Sequence, residues 1–186
     1  MNTKKAIDLA KRYQLKIIDD NAKDPFGLRS HLAQVEKWAD KLFKVYPDAD
    51  KDIVLLSVWL HDIGHYSGDP IADHAVKSEQ LAREFLAGKV NDDQRNKVCS
   101  AVRAHRCKDV MPKTIEGKIV ACIDSASHMT DTMYIDMVKQ GKSDFCLEKI
   151  ERDYRDAGLI PEVKNTLTPI YKSWVKLIRE LKELNI

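Results

Sequence analysis

Four histidines and two aspartates are the residues of this chain whose types and settings could do chemistry: His31, His61, Asp62, His74, His105 and Asp124. The pair His61-Asp62 follows an apolar run from Ile53 to Leu60 that reads as a helix without a polar face, and so as one buried on all sides. An ionised carboxylate in such a place is unfavourable unless a charge or a set of donors compensates it. Asp124 poses the same problem after the apolar stretch Ile119 to Ile123. Either aspartate alone could cap a neighbouring helix or pair with an arginine. Taken together with the histidines, they point to a shared cation. Mixed imidazole and carboxylate donors suit Mn, Fe, Co, Ni or Zn better than Mg or Ca, which prefer all-oxygen shells.

Other polar residues lie close to this set in sequence. His65 completes a spacing that superficially matches the H-E-x-x-H zinc-protease motif, with Asp62 in place of the glutamate. That motif needs both imidazoles on one face of a continuous helix. Gly64 is expected to end the helix, and the protease reading leaves His31, His74, His105 and Asp124 without a role. His65 is read instead as a pocket residue and candidate proton donor, or else as a solvent-facing loop histidine. Asp69, in the following loop, is a candidate for activating water. Lys77 sits one helical turn beyond His74, Arg106 and Lys108 follow His105, and Arg29 precedes His31. Each could bind phosphate, or simply be solvated at a helix end. A zinc site from Cys99, His105 and Cys107 is a weaker alternative, and His128 and Glu79 are given only surface or capping chemistry.

The elements that must position these residues read as helices throughout. Apolar spacing near 3.6 recurs along most of the chain, and period-2 alternation is scarce. Ala6, Leu9, Ala10 and Tyr13 mark an opening helix, and residues 24–27 a turn. His31, Val35, Trp38, Ala39 and Leu42 share one side of the next helix, which ends before Tyr46 and Pro47. After the buried helix that carries His61 and Asp62, a fourth is expected from about Ile71 to Leu86, stopped by Gly88. Asn91 caps a fifth that places Val98, Val102 and His105 together. A sixth leads through Ile115, Ile119 and Val120 to Asp124. Beyond residue 130 the signals look purely structural. Apolar residues from Val163 to Leu184 alternate steps of four and three, a coiled-coil-like seam that packs back on its own fold or else serves a homodimer.

Composition agrees with a helical globular chain. Of the 186 residues 44% are apolar, and only seven glycines and six prolines leave little punctuation for a many-turned β fold. One domain is expected, with its metal-binding core at about residues 26–130 and structural helices after it. A formal charge of +2, with acids and bases interleaved, gives no reason to expect nucleic acid or a membrane as partner. The start lacks the apolar stretch of a secretory signal, and the four cysteines form no C-x-x-C pair. A reduced, cytoplasmic setting is expected, with the cysteines as small core residues.

His31, then His61-Asp62, then Asp124, each in a helical setting and in that order, resembles the HD-domain metal-dependent phosphohydrolase superfamily. His74 and His105, between the pair and the last aspartate, look like the extra ligands of its binuclear branch. The resemblance implies an all-α HD-domain bundle, here with a C-terminal helical extension. It implies a first ion held by His31, His61, Asp62 and Asp124, and a second by His74 and His105, with Asp62 bridging. Two divalent ions against two aspartates leave a residual charge of about +2, which suits a bridging hydroxide and an anionic phosphate. The implied reaction is attack of metal-activated hydroxide on a phosphoester or phosphoanhydride of a small phosphorylated substrate, a nucleotide being the superfamily's suggestion. A di-iron oxygenase of the same fold and a non-catalytic, metal-stabilised regulatory module are the alternatives.

Overall fold

A computed structural model describes residues 2–21, 24, 27–66 and 73–184. Among them every regular element is helical: α1 (Thr3–Asp20), α2 (Leu28–Val45), α3 (Lys51–Leu60), a 3-10 turn (Ile63–Tyr66), α4 (His74–Leu86), α5 (Asp92–Ala104), α6 (Ile115–Met129), α7 (Met133–Lys139), α8 (Ser143–Ala157) and α9 (Pro161–Glu183). The all-α expectation holds, with α1–α6 forming the core and α7–α9 extending it.

The helix starts follow from side-chain caps. Asp50 accepts from the backbone N–H groups of Asp52 and Ile53, Asn91 from Gln94, and Thr114 from Gly117, each satisfying a donor that has no partner inside its helix. Asp24, in the left-handed region at φ 34°, accepts from the N–H groups of Leu28 and Arg29 at the start of α2 and from the Tyr66 hydroxyl.

Central to the bundle is α3, which touches α1, α2, α5 and α6 and buries Ile53, Val54, Leu56, Val58, Trp59 and Leu60. Burial of each large aliphatic side chain contributes about 1.5–3 kcal/mol, so α3 is pinned from every side. The chain then turns at Gly64, where a Cβ would lie 2.5 Å from the His74 carbonyl oxygen. Only glycine lets the start of α4 approach so closely. The Gly64 N–H donates to Ser78 Oγ at 2.9 Å and locks that approach.

One boundary differs from expectation and one is only partly described. The sixth helix does not stop near Asp124 but runs on to Met129, because Ala126 and Met129 continue its buried face against α8 and α9. The fourth is described only from His74, and Ile71 lies outside the described residues. At the C-terminal end α9 buries Val163, Leu167 and Ile178 within its own chain, and the Trp174 indole N–H donates to the Met129 carbonyl. Leu177 and Leu184 of the same seam remain exposed. All four cysteines are buried and free. No described helix is long and apolar enough to cross a membrane.

Candidate metal centre

Five separate segments bring the six residues together. His31 lies in the first turns of α2, His61 and Asp62 form the turn after α3, His74 opens α4, His105 closes α5, and Asp124 faces inward from the middle of α6. On one side His31 Nε2 stands 3.2 Å from His61 Nε2 and 3.1 Å from Asp124 Oδ1. Asp62 Oδ2 is 3.4 Å from both of those imidazole nitrogens. On the other side His74 Nε2 stands 3.1 Å from His105 Nε2. The second oxygen of Asp62, Oδ1, lies 3.4 Å from His74, 3.5 Å from His65 and 3.7 Å from His105. One carboxylate thus offers one oxygen to each of two imidazole clusters.

These spacings fit metal ions. Bonds of about 2.1 Å place neighbouring ligand atoms about 3.0 Å apart in an octahedron and about 3.4 Å apart in a tetrahedron. The protons agree. The His61 Nδ1–H donates to the Val58 carbonyl at 2.9 Å and the His105 Nδ1–H to the Val102 carbonyl at 2.6 Å, since a carbonyl can only accept. The Ser127 hydroxyl donates its single proton to the Asp124 carbonyl at 2.7 Å, so at 2.9 Å it must accept from the His31 Nδ1–H. In all three rings Nδ1 is the anchored donor, and Nε2 is the nitrogen turned to the cluster, as in metal-bound histidines.

Burial disfavours charge throughout, and the neighbours decide the outcome. At His74 and His105 burial dominates, pushing their imidazoles down to about 3 and about 4, and it lowers His31 as well. For Asp62 it is outweighed by His61 and His65, and for Asp124 by His128, His31 and His61, so both carboxyls lie well below the ordinary range. His61 goes the other way: Asp62 and Asp124 outweigh its burial and raise it well above 6.5. The result is two firmly ionised carboxylates among imidazoles, a donor set with room for cationic charge.

The remaining candidates are distributed as follows. His65 belongs to the second cluster, its ring stacked on His74 at 3.9 Å between centroids. The continuous helix that a zinc protease needs is lacking, since α3 ends at Leu60 and His65 sits in the 3-10 turn. Asp69 lies outside the described residues. Arg106 and Lys108 converge on Asp73, next to His74, with nitrogens 2.6 and 3.4 Å from Asp73 Oδ2. Lys77 is half-buried on α4 and makes no ion pair among the described residues, while Arg29 pairs with Asp19 on the surface. His105 turns Nε2 toward Asp62 and Nδ1 to Val102, which leaves no nitrogen for a site with Cys99 and Cys107. Glu79 pairs with Arg83 and Arg103.

His128 corrects the expectation of surface chemistry. Its Nε2 stands 3.7 Å from Asp124 Oδ1, and its ring stacks on that of His31. The signal was its position four residues after Asp124, which in a continuing helix is the same face one turn on.

Residues 28–129, more than half of the chain, match the family model described as HD domain. Comparison with curated proteins and with solved structures gave no match.

Proposed function

This chain belongs to the HD-domain family, and from that premise we propose that it is a metal-dependent phosphohydrolase cleaving a phosphoester or phosphoanhydride bond in a small substrate, with a nucleotide as the first class to try. The observation that carries the reading is Asp62, whose two oxygens face two imidazole clusters at distances suited to ions. His31, His61, Asp62 and Asp124 would hold the first ion, and Asp62, His74 and His105 the second, drawn from Mn, Fe, Co, Ni or Zn. When bound, such ions supply a water of near-neutral pKa and a counter-charge for the phosphoryl group.

The chain's own residues supply the rest. His65, half-buried with its ring stacked on His74, is the residue to which we assign the proton for the leaving oxygen at the second cluster. Arg106 and Lys108, gathered by Asp73 at the same edge, can turn to a phosphate dianion when one arrives, and Lys77 lies on the same helix as His74. Release of their charge from Asp73 is the price of substrate orientation.

The test is elemental analysis of protein purified without chelator, joined to a phosphate-release screen over nucleotides, sugar phosphates and a phosphodiester with each metal. The expected result is about two ions per chain and turnover of at least one class, with His65→Ala keeping metal but losing rate. Protein that binds metal, hydrolyses nothing, and consumes oxygen when loaded with iron would replace this reading with the oxygenase one.

A further inference from the structure

Behind the first cluster lies a second buried polar group, built from α6, α7 and α8. His128 Nδ1 is 3.3 Å from Asp153 Oδ2 and 3.3 Å from Lys149 Nζ. Lys149 also donates to Asp153 Oδ1 at 3.2 Å, and the Tyr134 hydroxyl donates to Asp153 Oδ2 at 2.6 Å. Asp153 is 5% exposed, and sequence reading gave α8 no part in the site.

His128 is not placed as a further ligand of the first ion. An imidazole binds a metal along the lone pair in its own plane. Nitrogens of His31 and His128 and an oxygen of Asp124 lie within 4.8 Å of one another, but the two rings are stacked, 4.8 Å apart with 14° between their planes, so an ion in the plane of one ring lies out of the plane of the other. Asp153 gathers three partners, Lys149, Tyr134 and His128, and so anchors the Nδ1 side of the ring. What His128 does contact is Asp124 Oδ1, at 3.7 Å through Nε2. His128 thus spans two carboxylates, with Asp124 facing Nε2 and Asp153 facing Nδ1, and Lys149 stands beside the Asp153 end.

We propose that His128, held by Lys149 and Asp153 of α8, is a positioning residue that fixes the Asp124 carboxylate toward the first ion. The inference rests on the reading above that Asp124 ligates that ion. It makes α8, which lies outside the matched residues 28–129, a working part of the centre.

Chelator-stripped wild type, His128→Ala, His128→Gln and Lys149→Met are titrated with Co(II), followed by visible absorption and elemental analysis, with helical circular dichroism as the folding control. His128→Ala is expected to weaken Co(II) at the first site by about 10–100-fold and to shift its absorption bands, as loss of a ligand's supporting partner does. His128→Gln keeps an N–H near the Nε2 position and should recover part of both. A folded His128→Ala with wild-type affinity and spectrum overturns the proposal, and so does equal loss in the Ala and Gln variants, which marks a merely structural role. Should His128→Ala fail to fold, Lys149→Met decides: weakened Co(II) binding supports the proposal and unchanged binding overturns it. Wild type that takes up no Co(II) overturns the two-ion reading and this inference together, whereas two bound ions with unaltered variants overturn this inference alone.

Discussion

The two halves of the centre share Asp62 but are built differently. On the first side, His31 and His61 side chains are 5% and 0% exposed and the donors come from helix interiors and the turn after α3. On the second side, His65 and His74 are each 21% exposed, and His74 is the first residue of its helix. The first half is enclosed by protein, down to the hydroxyl that orients His31. Among the described residues the second half is less enclosed at His65 and His74, although His105 is 1% exposed, and Arg106 and Lys108 lie at its edge. One ion is therefore expected to be structural in character and slow to leave, and the other to meet substrate and exchange.

The largest expected effect comes from the residue the halves share. Asp62→Ala should empty both sites and lower activity by more than about 100-fold, beyond the usual cost of losing an outer partner. An Asp62→Ala protein that still holds two ions would dissolve the comparison altogether. Next, His31→Ala and His74→Ala should each lose one ion but not the same one. Limited chelation of wild type should remove the ion that His74→Ala lacks first, as read by elemental analysis at successive chelator concentrations. Removal in the opposite order would reverse the assignment of enclosed and open halves. Smaller again is Ser127→Ala, which strips the acceptor from the His31 Nδ1–H. A loss of about 1 kcal/mol in stability and about 10-fold in first-site affinity is expected, with the second site unchanged.

The last effect is a pH slope in the metal-free protein. His74 and His105 titrate at about 3 and about 4 when folded, below the ordinary 6.5. Between those values the unfolded chain binds protons that the folded one refuses, so both residues make stability fall as pH drops from 6.5 toward about 4. The lowered His31 adds to the same slope and the raised His61 acts with the opposite sign above 6.5, which is why a difference is needed. His74→Ala should show a shallower fall in melting temperature over that window than wild type. Parallel curves would mean that His74 is not held neutral by burial.

Much of this centre was legible in the chain because burying a charge is expensive. Asp62 at the end of an all-apolar helix and Asp124 after Ile119–Ile123 demanded compensation, and the histidines in other helices supplied it. The helices were legible too, α5 from apolar spacing near 3.6 and α3 from an unbroken apolar run. What escaped lay where no period carries the signal. Stopping the sixth helix near Asp124 hid His128 one turn further along. The contact of Asp153 and Lys149 with His128 crosses from α8 to α6, and such pairing between distant helices is decided by packing. For His65 the spacing left a pocket residue and a solvent-facing loop histidine both open, and the 3-10 turn that carries it to His74 decides between them.

Anomalous diffraction from crystals of the metal-loaded protein tests the central claim most directly. Two peaks about 3.5–4 Å apart, with the Asp62 carboxylate between them, are expected. A single peak, or two that do not share Asp62, would contradict the account.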